Sequence, residues 1–191
     1  MKKILVLISF LALAAFAQSN TTEPERALQR PVYNFNTFAM GISFWSNYEK
    51  AGVNDNKDHE TGFLFRFGRI WEMTTHGAIT ALSHVNASLG DTWEVHGNML
   101  LGGRYSILES DICPFVGGGA GVGLQFDSHF KDWDFGEKYA VGMSFGFEVG
   151  ATIFHNSSLQ LEVGFGYDIV ASGLDFKKSF DSFNLFFGLN Y

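Results

Sequence analysis

The sequence has few cysteines and prolines, the residues that stabilise a small fold through disulfide bonds or a rigid backbone. It contains one cysteine, Cys113, and 3 prolines among 191 residues. A single cysteine excludes an intrachain disulfide, so noncovalent interactions must hold the fold together. Basic residues are also scarce, because 13 Lys and Arg face 20 Asp and Glu, for a formal net charge of −7. This acidic balance argues against nucleic acid as a partner.

Long apolar runs are missing after residue 17, which excludes a helical membrane protein. Before that point, Ile4 to Phe16 is apolar apart from Ser9, follows two lysines and ends in an Ala-Phe-Ala site. This pattern predicts a signal peptide over residues 1–17, and its removal takes the net charge to −9. The alternative, a membrane anchor, is disfavoured because a spanning helix needs about 20 residues. The residue directly after the cleavage site is Gln18 and not a cysteine, so a lipoprotein is not expected.

Phenylalanine and glycine, by contrast, are abundant, with 21 and 22 copies. In the last nine residues the odd positions from Phe183 to Tyr191 are apolar, whereas Asn184, Gly188 and Asn190 occupy even positions. Side chains alternate between the two faces of a strand, so this segment predicts a strand with one fully apolar face. Phe186 is the exception on the polar face, and it suggests a partly filled interior.

The same alternation recurs along the chain and predicts eight strands. They cover about residues 37–48, 62–71, 78–89, 93–107, 112–126, 139–153, 159–169 and 180–191. Large apolar residues occupy one face, whereas Gly, Ala, Ser and a few charges occupy the other. We therefore predict an all-β fold, an eight-stranded antiparallel transmembrane up-and-down β-barrel over residues 37–191. A secreted β-sandwich is the alternative, but a narrow lumen explains the small inward residues better.

The lengths of the connections predict an orientation. Three of the four odd links, 49–61, 127–138 and 171–179, are long, and only the link at 90–92 is short. The even links, 72–77, 108–111 and 154–158, are all short. Because an even strand count returns both termini to one side, we expect both termini in the periplasm and the long loops outside the cell. Aromatic residues near strand ends are expected to form the interfacial girdles: Tyr48, Trp93, Tyr139 and Tyr167 outside, and Trp71, Tyr105 and Tyr191 on the periplasmic side.

Two segments resemble the small outer-membrane barrels typified by the OmpA transmembrane domain and OmpX. They are the glycine-rich run from Pro114 to Gly123 and the last strand ending on Tyr191. The resemblance implies a bacterial outer-membrane location and contact with lipid and lipopolysaccharide. It also implies insertion by the β-barrel assembly machinery, which would read Phe187, Leu189 and Tyr191. No peptidoglycan-binding domain follows, so a wall-tethering role is not expected.

Six charged residues fall on the predicted inward faces. They are Arg66, Arg104, Glu94, Glu148, Glu162 and Asp168. Buried charges are costly unless paired, so we expect ion pairs across a largely closed polar lumen. The alternative is a narrow, porin-like conduit for small or hydrophobic solutes.

Two inward histidines, His84 and His96, lie on neighbouring strands. If the hairpin register places them face to face, they form a weak metal-site candidate together with Glu94. We expect instead that they are polar lumen residues, with no metal and no cofactor.

His155-Asn156-Ser157 superficially matches the His-x-Ser arrangement of the lipid A deacylase PagL, in which serine is the nucleophile. The predicted topology places the triplet in a periplasmic turn, away from lipid A in the outer leaflet. The spacing to Glu162 also differs from that of the PagL acidic partner. We therefore expect no enzyme, with lipid A modification as the third-ranked function.

The remaining segments predict surface and periplasmic features. Residues 18–36 contain a capping-box pattern, Thr22 to Glu25, typical of a short helix at the barrel mouth, although a disordered tail fits equally. Loops 49–61 and 127–138 are acidic or polar, and the second carries Phe130, Trp133 and Phe135. These features favour a structural or surface-interaction role, with an extracellular ligand bound through the loops.

Overall fold

A computed structural model describes residues 32–49, 57–88, 93–128, 139–172 and 178–191. Eight strands form one closed antiparallel barrel, in which each strand pairs with its sequence neighbours and β1 pairs with β8. The strands are β1 Asn34–Glu49, β2 Lys57–Glu72, β3 Gly77–Ser88, β4 Trp93–Ser106, β5 Ile112–Ser128, β6 Tyr139–Ile153, β7 Gln160–Ser172 and β8 Lys178–Asn190. The predicted fold class is confirmed, and closure of β1 on β8 excludes the sandwich.

Several strands are longer than the alternation predicts. β1 begins at Asn34, and β1 and β2 stay paired as far as Tyr48 and Lys57, which shortens the predicted loop 49–61. The extra residues are mostly polar on both faces, so they show no apolar alternation that would predict a strand. Backbone pairing continues through them because it does not depend on the side chains. The signal peptide, most of segment 18–36, and the loop tips with Phe130, Trp133 and Phe135 lie outside the described residues.

The burial pattern is the reverse of that in a water-soluble β-protein. Large apolar side chains such as Phe67, Leu101 and Phe147 are exposed on the outer wall, whereas Arg66, Ser43 and Asp168 are buried inside. Every described strand follows the predicted parity. Within the described ranges no helix is long and apolar enough to cross a membrane.

The stagger of the strands decides which lumen residues meet. Following paired residues once around the barrel from Ala39 returns the path to β1 at Glu49, ten residues farther along. Such a stagger accompanies a strand tilt of about 35–45° and an eight-stranded interior that side chains fill. We call the end with links 73–76, 107–111 and 154–159 the turn end, and the opposite end the loop end.

Candidate functional site: the filled lumen

Four charged side chains form a compact cluster in the lumen, nearer the turn end. This charge cluster consists of Arg66 on β2, Arg104 on β4, Glu148 on β6 and Glu162 on β7, and all four are buried. Each arginine forms ion pairs with both glutamates. Two positive and two negative charges balance, so the cluster has no net charge to solvate.

The hydrogen bonds within the charge cluster are short and numerous. Arg104 donates from Nη1 to Glu162 Oε2 at 2.5 Å and from Nη2 to Glu148 Oε1 at 2.6 Å. Arg66 donates from Nη1 to Glu148 Oε2 at 2.7 Å and from Nη2 to Glu162. Asn190 adds a bond of 3.0 Å to Glu162 Oε2. Charge-assisted bonds of this kind are the strongest in proteins and hold both guanidinium groups in fixed planes.

Two phenylalanines cover the guanidinium planes. The Arg104 Cζ atom lies 3.9 Å from the ring centre of Phe115, and that of Arg66 lies 4.4 Å from the ring of Phe186. Stacking on an aromatic face favours a desolvated guanidinium. Phe186 thus fills the lumen as the sequence suggests, and it does so by covering Arg66.

A second network lies above the charge cluster toward the loop end. Asp168 Oδ2 accepts from His84 Nδ1 at 2.7 Å and from Asn184 Nδ2 at 2.9 Å. Ser43 Oγ donates to Asn184 Oδ1 at 2.6 Å, which adds β1 to the network. A cavity lined by His84, Leu100 and Glu148 among others has room for about one water molecule.

Three aromatic side chains pack together in the lumen nearer the loop end. This aromatic layer consists of Trp45, His96 and Phe180. The rings of His96 and Phe180 stack with centres 3.8 Å apart, and Trp45 meets His96 edge-on at 5.6 Å. Glu94 contacts His96 Nε2 at 3.3 Å beside the layer.

The six lumen charges identified in the sequence therefore divide into two groups. Arg66, Arg104, Glu148 and Glu162 come together, whereas Asp168 pairs with His84 and Glu94 with His96. Four further aromatic side chains point into the lumen and were not predicted: Phe35, Trp45, Phe115 and Phe180. Strand alternation could have predicted them, because each of the four occupies an inward position of β1, β5 or β8.

The two histidines do not face each other. Register places His84 opposite Asn98, and His96 opposite Asn86. Each imidazole instead contacts its own carboxylate. In the part of the chain that the structure describes, no group of three His, Cys, Asp or Glu side chains is arranged to hold a metal ion. The β3–β4 register thus does not place the two histidines of this weak metal-site candidate face to face.

The triplet His155-Asn156-Ser157 forms the link between β6 and β7 at the turn end. Ser157 Oγ accepts from the Leu159 amide at 3.2 Å, and Asn156 Nδ2 donates to Asp111 Oδ1 at 3.2 Å. Phe154, just before the triplet, has a positive φ of 60°. These contacts are those of a stabilised turn.

Buried Cys113 lies near the same end of the barrel. Its Sγ donates to the Leu108 carbonyl at 2.7 Å.

Comparison with solved structures identifies the fold. Neisserial surface protein A matches with a TM-score of 0.62 and 12% identity, covering 82% of this chain and 95% of that one. Ail, the attachment invasion locus protein of Yersinia pestis, matches with a TM-score of 0.50 and 15% identity, covering 83% and 99%. The sequence matches no protein-family model and no curated protein. The chain thus has the fold of the small eight-stranded outer-membrane barrels.

Proposed function

We propose that the protein is an integral outer-membrane barrel with a closed polar lumen, and that it acts as a structural or surface-interacting scaffold. The charge cluster carries this proposal. Its four side chains neutralise one another and are covered by Phe115 and Phe186, so the charge cluster itself offers no unpaired charge to draw an ion through. The aromatic layer adds a second barrier.

The environment of the outer wall supports the membrane part of this proposal. An exposed apolar belt surrounds the barrel, and an open edge or solvated loop would be unfavourable at that depth. We place both termini in the periplasm and the outer wall in contact with lipid and lipopolysaccharide. We further propose that the β-barrel assembly machinery inserts the protein. Under this proposal, an extracellular ligand would meet the protein at the loop end, and neither an enzymatic nor a metal-dependent role is assigned to it.

Conductance in planar bilayers tests the closed lumen. We expect wild-type protein, inserted beside a porin that verifies the membrane, to produce no unitary current steps of its own. The Arg104→Gln variant should be equally silent, because Arg66 and the aromatic layer still fill the lumen. Folding of each sample is checked by heat-dependent mobility on a gel.

The competing proposal is the narrow conduit. Wild-type current steps whose size changes in Arg104→Gln would contradict the closed lumen and support conduction past the charge cluster. Steps that are unchanged in Arg104→Gln would also contradict it, and would place the conducting path elsewhere.

A further inference from the structure

The lipid-facing wall carries almost no charge. Among the outward side chains that the structure describes, two are charged: Arg69 on β2 and Asp181 on β8. Asp181 already has a protein partner, because Tyr167 Oη donates to its Oδ2 at 3.1 Å. Arg69 has no carboxylate ion pair among the described residues, and its Cζ lies 5.9 Å from the ring centre of Trp71.

Arg69 lies at a defined depth in the wall. Trp71, Tyr105 and Tyr191 occupy the last outward positions of their strands or the residue just beyond, where aromatic residues mark the membrane interface. Arg69 is one outward position deeper than Trp71 on the same strand. At that depth the apolar stem of an arginine can extend along the wall so that the guanidinium reaches the interface. The free-energy cost of burying the guanidinium falls as the group nears the lipid headgroups.

The neighbours of Arg69 leave its donors available. Its register partners are Asn36 on β1 and Ala81 on β3. Asn36 is exposed, and its amide adds a further donor, whereas the small Ala81 leaves space beside the guanidinium. The planar fork of arginine matches the oxygens of a phosphate group, which is the anion found at this depth in a bilayer.

We propose that Arg69, flanked by Trp71 and Asn36, binds the phosphate of a phospholipid in the leaflet at the turn end. The guanidinium supplies the charge, the Asn36 amide a second donor, and the Trp71 ring an apolar wall against the glycerol region. The choice of phospholipid over lipid A follows from the proposed orientation, which places the turn end at the periplasmic leaflet. The site is independent of whether the lumen conducts.

Lipid retention measured by native mass spectrometry tests this site. The full-length protein is purified in dodecyl maltoside, which lacks phosphate, and titrated with phosphatidylglycerol. We expect one retained lipid per protein, with about tenfold weaker retention in Arg69→Gln, equivalent to about 1.4 kcal/mol. Arg69→Lys should fall between them, because it keeps the charge but loses the planar fork.

Two controls separate the site from general charge and apolar effects. Lys178→Gln removes one positive charge at the loop end and should retain lipid as the wild type does. Diacylglycerol, which has the same chains without phosphate, should not be retained by any variant. Heat-dependent gel mobility verifies that each variant is folded, and Arg69→Lys serves if Arg69→Gln fails to fold.

Three results would overturn the proposal. Equal retention by wild type and Arg69→Gln would remove Arg69 from the site. Equal retention of diacylglycerol would show that phosphate is not recognised. Tighter retention of lipid A than of phosphatidylglycerol, lost in Arg69→Gln, would assign the site to the opposite leaflet.

Discussion

Glu162 is one lumen carboxylate that binds three other buried side chains. It is fully buried and accepts hydrogen bonds from Arg66, Arg104 and Asn190. Both of its oxygens are used, and both arginines depend on it for part of their charge balance. Removing one partner of a buried ion pair is more costly than never having built the pair, because the remaining charge stays desolvated.

We therefore predict that Glu162→Gln strongly destabilises the barrel. The amide supplies a single acceptor oxygen and places N–H groups against the arginines, so we expect a loss of about 3–5 kcal/mol. The measurement is the free energy of unfolding in urea from lipid vesicles.

Glu109→Gln is the matched control. Glu109 also contacts a basic side chain, because its Oε1 lies 3.3 Å from His76 Nε2, but the Glu109 side chain is 44% exposed. An exposed pair contributes about 0–1 kcal/mol. Comparable losses in the two variants would contradict the role assigned to the charge cluster.

At the scale of the strand, glycine lets neighbouring backbones and lumen side chains approach. A Cβ atom added to inward Gly102 on β4 would lie 2.0 Å from the Gly118 carbonyl oxygen. The adjacent Gly103 faces outward, and the nearest atom to its added Cβ is the Ala78 carbonyl oxygen at 3.5 Å. Gly102 thus has a steric reason to lack a side chain, and Gly103 does not.

This contrast gives a prediction within one strand. Gly102→Ala should destabilise the barrel by about 1–3 kcal/mol, because the backbone of β4 or β5 must shift to admit the methyl group. Gly103→Ala should change stability by less than about 0.5 kcal/mol. Urea unfolding of the two variants checks this, and an equal effect at both positions would refute the packing argument.

For the whole molecule, the pairing of β1 with β8 is the contact that closes the barrel. Met40 on β1 pairs directly with Phe187 on β8, and Phe44 pairs with Phe183. Directly opposed residues have Cα atoms about 4.5–5.5 Å apart, within the range that a disulfide spans. The ends of the chain therefore meet in a register that cross-linking can test.

We predict that Met40→Cys with Phe187→Cys, in a Cys113→Ser background, forms an intrachain disulfide on oxidation. Met40→Cys with Phe183→Cys should not, because these positions are four residues out of register. Gel mobility with and without reductant distinguishes the two. Cross-linking of the second pair alone would contradict the register of closure.

The sequence also indicated much of the lumen but not its pairing. Parity alone placed Arg66, Arg104, Glu148 and Glu162 on inward faces, because a strand alternates its side chains whatever it pairs with. Which charges meet depends on the stagger around eight strands. That is why Asp168 lies with His84 and Glu94 with His96, and why no arginine forms an ion pair with either among the described residues.

By itself, then, the sequence determined the number of strands, their faces and the apolar outer wall, since each follows from a local period of two. The tertiary structure alone decided the strand ends, the separation of the two histidines and the sealing of the charge cluster by Phe115 and Phe186. Those features depend on register, and register is a relation between strands far apart in the chain, set by the packing of all eight at once.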